Sequence, residues 1–205
     1  MSPALLAQML YWSLPLLAYL IGSLSSAILV SMVLRLPDPR NSGSNNPGAT
    51  NILRLGSKTG ALITLIGDIA KGLLPILAVK TWISDEPLLL ASLGLATILG
   101  HLFPIYFKFV GGKGVATALG VFLALTPIVA VIQVITWLAF TLGFRYSSLA
   151  ALVTAMATPL YVWLINQNIY FTVLSTIVAI LIAFRHKNNI QRLSNGTETK
   201  IKFHK

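Results

Sequence analysis

Polar residues that could bind phosphate gather in three short segments of an otherwise apolar chain. The first runs over residues 38–51 and is followed by Arg54. Its glycines and asparagines tolerate positive φ, so successive backbone N–H groups can converge on an anion, and arginine adds a planar charge suited to phosphate. The candidate donors are Ser44, Asn46, Thr50, Asn51 and Arg54. A solvated linker between two helices is the alternative interpretation.

The second segment is Gly111-Gly112-Lys113-Gly114. It is similar to a nucleotide-binding phosphate loop, but that pattern requires a glycine five residues before the Gly-Lys pair and Ser or Thr after the lysine. Phe107 and Gly114 occupy those positions, so the segment does not predict ATP binding. A glycine-flanked lysine at a helix start still offers an anion free N–H groups and the helix dipole. A flexible turn with an interfacial lysine is the alternative.

The third segment begins at residue 185 and contains His186, Asn189 and Arg192, each three residues from the next. A continuing helix would turn these side chains to roughly one face. Glu198 is the one acid of this tail and could orient a neighbouring Arg or Lys. The alternative is a basic tail that touches anionic lipid, worth about 1 kcal/mol per basic residue.

Three further polar features lie in or beside apolar stretches. Asp68 and Lys71 are three residues apart, so they share a helix face and can form an ion pair. His101 lies near the end of an apolar stretch, where an ionisable residue is a functional candidate, although simple packing with one hydrogen bond is equally open. Ser147 and Ser148 follow a basic residue and predict either an interfacial turn or a further wall of the site.

The composition shows in which solvent these segments must work. Of the 205 residues, 56% are hydrophobic and only 10% are charged, whereas a soluble domain carries about 25% charged residues. This excludes an ordinary soluble globular domain, and the high hydrophobicity excludes disorder. The sequence contains 0 Cys, which excludes disulfides, Cys-zinc sites and a cysteine acyl-enzyme. We therefore predict an integral membrane protein with no metal and no cofactor.

Long apolar runs predict the helices that must position the three segments. A transmembrane helix needs about 20 mostly apolar residues. The runs span residues 10–34, 61–82, 87–107, 114–144 and 146–184. The last run is long enough for two helices, and the polar residues 166–168 predict the point at which they divide.

The number of spans depends on residues 114–144, which form either one helix or two helices divided near Thr126-Pro127, because proline disrupts a helix interior. With seven spans, all basic residues except Lys71 and Lys80 lie on one side; with six, they split between both sides. The positive-inside tendency favours about seven transmembrane helices, some short, with the N-terminus outside and the C-terminus cytoplasmic. We predict an all-α polytopic membrane fold in which residues 1–205 form a single domain.

Four ordered motifs resemble those of the bacterial acyl-phosphate:glycerol-3-phosphate acyltransferase family. They cover residues 43–54, 67–72, 100–117 and 185–198, and the second signature of the family, at 100–117, is the most specific. Two positions depart from the family pattern. Asn45 stands where the family usually has glycine, and Ser25 replaces a proline that is common in the N-terminal small-residue motif.

This resemblance implies a transferase that moves a fatty acyl group from acyl phosphate to the 1-hydroxyl of glycerol 3-phosphate. The products would be 1-acylglycerol 3-phosphate (lysophosphatidic acid) and phosphate, in the first step of phospholipid synthesis. It implies a multi-pass protein of the bacterial cell inner membrane, with an active site that faces the cytoplasm. The expected partners are the two substrates and membrane lipid, with no nucleic acid and no obligate protein partner.

The resemblance and the residue chemistry together assign roles. The catalytic set is Lys113, His186 and Ser44; the substrate-binding set is Arg54, Asn46, Thr50, Asn51, Gly111, Gly112, Gly114, Ser147, Ser148, Asn189 and Arg192; the supporting set is His101, Asp68, Lys71 and Glu198. No serine lies in a recognisable triad setting, so direct attack of the glycerol hydroxyl on the acyl carbon is favoured. The proton would pass to a substrate phosphate oxygen, with His186 as the alternative general base.

A membrane transporter or flippase for phosphorylated solutes or lipids is the alternative function. It would share the cationic cytoplasmic face, but it would also need polar residues through the membrane to the far side. Such residues are scarce in the apolar runs, which contain Asp68, Lys71 and His101 and little else that is ionisable. The sequence therefore favours the acyltransferase.

Overall fold

The computed structural model describes residues 2–201, except for the side chains of residues 3–7, and this part of the chain contains helices and no strand. The α-helices are α1 (Pro3–Gly22), α2 (Ser26–Val33), α3 (Ala49–Arg54), α4 (Lys58–Trp82), α5 (Pro87–Leu102), α6 (Val115–Leu125), α7 (Pro127–Phe144), α8 (Ser147–Asn166), α9 (Ile169–Arg185) and α10 (Lys187–Ser194). A single 3-10 turn, Ile105–Phe107, follows α5.

Five helical stretches of the described chain are long and apolar enough to cross a membrane. They are Gln8–Val33, Lys58–Trp82, Pro87–Phe107, Pro127–Phe144 and Ser147–Asn166. The bent pair α9 and α10 gives a sixth stretch if it is counted as one span, and α6 is a shorter apolar helix. The all-α polytopic membrane fold is confirmed, whereas the count of seven spans and the orientation of the termini stay predictions.

The two predicted divisions of long apolar runs are confirmed. Helix α6 ends at Leu125 and α7 begins at Pro127, which occupies the first turn, where a missing N–H is not needed. The second division lies between α8 and α9. There, Oδ1 of Asn168 accepts hydrogen bonds from the N–H groups of Tyr170 (3.0 Å) and Phe171 (3.2 Å) and thereby caps α9.

The third polar segment does not continue α9 as a straight helix, so the condition under which its side chains would share one face is not met at His186. His186 leaves the helical conformation, with φ −96° and ψ 9°, and α10 starts at Lys187. The axes of α9 and α10 differ by 63°. The change of direction accompanies a change of composition, because α9 is apolar and α10 is rich in polar residues.

The chain divides into two compact units, Met1–Leu125 and Thr126–Lys205. In the first unit, α4 packs against α6 and α1 packs against α5. In the second unit, α8 packs against both α7 and α9. The single-domain organisation of the chain stays a prediction.

Glycines bring the paired helices of the first unit into backbone contact. A Cβ on Gly72 of α4 would overlap the backbone of α6, and a Cβ on Gly120 of α6 would overlap that of α4. Gly22 and Gly100 have the same relationship between α1 and α5. Close backbone approach at small residues is a main source of helix packing in membranes, where lipid removes the usual hydrophobic drive. The contact at Gly22 and Gly100 therefore fixes the end of α5 against α1.

Candidate active site

The first polar segment folds around the buried side chain of Asn51, which is 1% exposed. Its Nδ2 donates hydrogen bonds to the carbonyl oxygens of Pro39 (3.0 Å) and Ser42 (2.9 Å). Its Oδ1 accepts the N–H of Ser44 at 2.8 Å. Both amide hydrogens of Asn51 are therefore bonded within the loop, and the direct contact with substrate predicted for this residue stays a prediction.

Two residues of this loop adopt the left-handed conformation. Gly43 has φ +66° and Asn45 has φ +55°, a region in which asparagine is the most tolerated residue after glycine. The departure at Asn45 from the usual family glycine thus leaves the turn intact. A Cβ on Gly43 would also overlap Oδ1 of Asn51, so position 43 requires glycine for two reasons.

An ion pair fixes the start of the same loop. Arg40 donates from Nη2 to Asp38 over 2.7 Å and from Nε over 3.1 Å. The hydrogen bond from Arg40 lowers the pKa of the Asp38 carboxyl from its ordinary value, although burial opposes the shift. Together with the bonds of Asn51, this pair makes the segment an internally bonded loop rather than a solvated linker.

Helix α3 follows the loop and divides its residues between two faces. Asn51 points inward, while Thr50 and Arg54, four residues apart and hence on one face, are exposed. Ser44 and Asn46 in the preceding loop are half-buried. The exposed face leaves the predicted substrate-binding side chains Thr50 and Arg54 accessible.

The glycine loop, residues 111–114, leads directly into α6, as the sequence predicts. Gly114 has φ +84° and α6 begins at the next residue. The N–H of Gly112 donates to the carbonyl oxygen of His101 over 3.1 Å. A Cβ on Gly112 would overlap the His101 ring and lie 2.9 Å from the carbonyl oxygen of Pro47. The first polar segment and the glycine loop therefore adjoin each other, with Lys113 half-buried beside them.

A buried ionic cluster lies beneath the glycine loop. The predicted ion pair is confirmed, because Nζ of Lys71 lies 2.9 Å from Oδ1 of Asp68. The same carboxylate oxygen is 3.6 Å from Nδ1 of His101. Lys71 also donates over 2.7 Å to the carbonyl oxygen of Leu24, in the break between α1 and α2. Three of the four residues predicted to have supporting roles, Asp68, Lys71 and His101, thus form one group.

In the second unit, the carboxylate of Glu198 forms hydrogen bonds with residues of α8 and of the third polar segment. It accepts hydrogen bonds of 2.7 Å from Oγ of Ser148, Nδ2 of Asn189 and Nε of Arg192. Burial raises the pKa of Glu198, but the hydrogen bonds from Ser148, Arg192 and Asn189 outweigh it and hold that pKa below its ordinary value. Glu198 orients an arginine, as the sequence predicts.

The substrate contacts predicted for the partners of Glu198 stay predictions. Ser148 and Asn189 are buried, while Arg192 is half-buried. Ser147, the first residue of α8, is half-buried. The bonds to Glu198 fix Asn189 and Arg192 on one side of α10, so part of the predicted common face exists despite the bend at His186.

The imidazole of His186 is buried, with 3% exposure. Its Nδ1 lies 2.8 Å from the carbonyl oxygen of Ile182. Because a carbonyl oxygen only accepts, this bond assigns the proton to Nδ1, and the lone pair of the neutral ring falls on Nε2. The ring is therefore oriented by the backbone of α9, and its Nε2 has the electronic form that a hydrogen-bond acceptor or base requires.

No group of three or more His, Asp or Glu that could hold a metal ion occurs within residues 2–201. The polar features of the two units are instead hydrogen-bond donors and cations, a donor set that suits anionic oxygen atoms.

Comparison with known proteins relates nearly the whole chain to one family. The family model described as Glycerol-3-phosphate acyltransferase matches residues 12–196. A glycerol-3-phosphate acyltransferase of Methylococcus capsulatus is 48% identical over 190 residues, covering 93% of this chain and 96% of the relative. That of Halorhodospira halophila is 49% identical over 189 residues, covering 92% of this chain and 95% of the relative.

Solved structures agree with the sequence comparison. A crystal structure of PlsY (YgiH), an integral membrane glycerol 3-phosphate acyltransferase in its glycerol 3-phosphate form, matches with a TM-score of 0.87 and 35% identity. The match covers 94% of this chain and 96% of that one. A second structure of PlsY, in its lysophosphatidic acid form, matches with a TM-score of 0.85 at 35% identity, over 94% of this chain and 95% of that one.

Proposed function

We propose, on the premise that this chain belongs to the glycerol-3-phosphate acyltransferase family, that its acyl donor is acyl phosphate. Membership of the family makes the chain an integral membrane acyltransferase that acts on glycerol 3-phosphate. The products would be 1-acylglycerol 3-phosphate and inorganic phosphate. The form in which the related PlsY was crystallised with lysophosphatidic acid supports this product.

The observation that carries the proposal is the contact between the first polar segment and the glycine loop at Pro47 and Gly112. The first of these loops precedes Arg54 and the second contains Lys113. Two phosphorylated substrates require two sets of anion-binding groups that lie close together. Adjacent loops, each with small residues and a nearby cation, meet that requirement.

In the reaction, the 1-hydroxyl oxygen of glycerol 3-phosphate attacks the acyl carbon of acyl phosphate. A new ester C–O bond forms, and the C–O bond between the acyl carbon and the phosphate oxygen breaks. Phosphate leaves with the bonding electrons, and the hydroxyl proton passes to a substrate phosphate oxygen. Acyl phosphate is a mixed anhydride, so its leaving group needs no enzyme nucleophile.

The roles of the residues follow from the negative charge that develops on the departing phosphate. Lys113 and the glycine loop hold the phosphate of the donor and stabilise the charge on the departing group, while the N–H of Gly112 is used by the carbonyl oxygen of His101. Arg54 positions glycerol 3-phosphate so that its hydroxyl faces the acyl carbon. The family resemblance assigns the same task to His186 and Asn189.

Three half-buried or exposed side chains of the first loop and α3 complete the set of donors: Ser44, Asn46 and Thr50. The acyl tail remains in lipid. The reaction takes place at the cytoplasmic face of the bacterial inner membrane, where glycerol 3-phosphate is made.

The test is purified protein mixed with labelled glycerol 3-phosphate and palmitoyl phosphate, without ATP or added metal. We expect labelled lysophosphatidic acid and one phosphate released per acyl group transferred. Product formation from palmitoyl-CoA or palmitoyl acyl carrier protein, but not from palmitoyl phosphate, would overturn the proposed donor. Movement of glycerol 3-phosphate into vesicles without acyl transfer would favour a transporter instead.

A further inference from the structure

The cluster of Asp68, Lys71 and His101 has no place in the reaction steps above, yet it contacts a loop that does. All three side chains are buried, with exposures of 3%, 7% and 7%. Placing charged groups inside a membrane protein costs free energy, so such groups usually serve a function.

His101 touches the glycine loop at two points. Its carbonyl oxygen accepts the N–H of Gly112 at 3.1 Å. The Nε2 edge of its ring lies against the Cα of Gly112, so closely that a Cβ there would overlap the ring. The position of this imidazole therefore sets the position of the residue next to Lys113.

The other nitrogen of the same ring faces the ion pair. Nδ1 of His101 is 3.6 Å from Oδ1 of Asp68, and Asp68 is held by Lys71 at 2.9 Å. Lys71 is in turn fixed by the carbonyl of Leu24 at 2.7 Å. A continuous series of contacts thus runs from the break between α1 and α2 to the loop that precedes α6, entirely within the first unit.

We propose that Asp68 and His101 are positioning residues that hold the glycine loop at the distance that the departing phosphate requires, an inference that rests on the role proposed for that loop. The carboxylate fixes the rotation of the imidazole, and the imidazole fixes Gly112. Displacement of a catalytic group by about 1 Å can lower the rate about 100-fold. Lys71 balances the charge of Asp68 and has no separate effect on the loop.

The decisive variant is the double substitution Asp68→Asn with Lys71→Met, which removes both charges together and leaves no buried ion unpaired. If the pair only stabilised the fold, this neutral variant would have normal kinetics once folded. We expect a folded variant in detergent, with an unfolding temperature lowered by the loss of the bond from Lys71 to the carbonyl of Leu24, together with a kcat about 100-fold lower. The KM for glycerol 3-phosphate should change by less than about threefold, because that substrate is held elsewhere.

A second variant, His101→Asn, keeps the inference testable if the double variant does not fold. It should lower kcat to a similar extent. Combining all three substitutions should cause no further loss, because groups that act through one another are not additive. Normal kcat in a folded His101→Asn variant, or independent losses that multiply in the combined variant, would overturn the role.

The matched control is Thr64→Val, one turn before Asp68 on α4. Thr64 is fully buried, and its Oγ1 has no hydrogen-bond partner among the described residues. This change should leave kcat unaltered, so a loss of activity there would attribute the effects to general disturbance of α4 and overturn the inference.

The failure of this inference differs from that of the proposed function. A Lys113→Ala variant with normal turnover would overturn both roles of the loop. An inactive Lys113→Ala variant beside a fully active double variant would overturn the positioning role alone.

Discussion

The main-chain N–H of Ser44 donates a hydrogen bond of 2.8 Å to Oδ1 of Asn51, seven residues further along the chain. The side-chain amide nitrogen of Asn51 donates in turn to the carbonyls of Pro39 and Ser42. One buried side chain therefore sets the path of the whole first loop, including the serine predicted to take part in catalysis.

The substitution Asn51→Asp tests this arrangement. A carboxylate still accepts the N–H of Ser44, but it has no hydrogen to donate to the carbonyl oxygens of Pro39 and Ser42. Each buried carbonyl that is left without a hydrogen bond lowers the stability by about 1–3 kcal/mol. We expect a lower free energy of unfolding in detergent and a loss of acyl transfer. Asn41→Asp, at an exposed position of the same loop, is the control and should leave both unchanged. Equal stability of the two variants would contradict the role of Asn51.

Lys113→Ala should lower kcat by roughly 10²- to 10³-fold, because it removes a cation from the departing phosphate. Lys113 is only half-buried, so the unfolding temperature should change little. Turnover of palmitoyl phosphate measures the effect. Lys58→Ala, which removes an exposed cation from the start of α4, controls for net charge and should retain full activity. A Lys113→Ala enzyme within tenfold of normal would remove lysine from the mechanism.

His186→Gln and His186→Ala together decide between the two routes for the proton. The glutamine amide can occupy the region of Nε2 but cannot act as a base. If a substrate phosphate takes the proton, His186→Gln should remain at least about tenfold more active than His186→Ala. General-base catalysis by histidine is worth roughly 10²- to 10⁴-fold, so equal and severe losses in both variants would identify His186 as the base.

Glu198 should give the second unit an acid-sensitive stability. Its pKa in the folded protein lies below the ordinary value of 4.5, so the ionised form is favoured by folding. That contribution is complete above pH 4.5 and is lost as the pH falls through the folded pKa. The unfolding temperature of the unaltered protein should therefore fall more steeply below pH 4.5 than that of Glu198→Gln.

The exposed acid Asp85 provides the comparison for this pH experiment. Asp85→Asn should follow the unaltered protein over the same pH range. Parallel curves for the unaltered protein and Glu198→Gln would show that the three hydrogen bonds to Glu198 do not depend on its charge.

A methyl group at Gly112 should inactivate the enzyme, because it would overlap the His101 ring and approach the carbonyl of Pro47. We expect a loss of about 100-fold or more in kcat for Gly112→Ala, since the loop must move to accommodate the side chain. Gly143→Ala is the matched control, because a Cβ at that position of α7 meets nothing within 4 Å. Gly143→Ala should retain activity and gain up to about 1 kcal/mol of stability.

The sequence predicted much of the helical layout, for local reasons. Apolar runs indicated the membrane helices, and Pro127 and the polar residues 166–168 marked real divisions. The pair Asp68 and Lys71 was predicted because its spacing alone brings the two side chains together on a helix. The start of α6 after Gly114 was predicted from the glycines that precede it.

Other features depend on contacts between distant residues, which a single sequence does not encode visibly. Nothing about Leu24 indicates that its carbonyl binds Lys71, because any residue carries a carbonyl. Asn51 points inward because the loop folds around it. The composition of the loop had instead suggested that Asn51 donates a hydrogen bond to a substrate phosphate. The bend at His186 could not be predicted, because three-residue spacing is compatible with both a straight helix and a bent one.

The interruption of the first span between Gly22 and Ser26 has a consequence for redesign. It exposes a main-chain carbonyl at Leu24, and the ammonium group that satisfies it comes from a residue 47 positions away. Engineers who straightened the first span into an uninterrupted helix would take this acceptor away from Lys71 and leave its ammonium group to the carboxylate of Asp68. The two features must be removed in the same step, or retained as a pair.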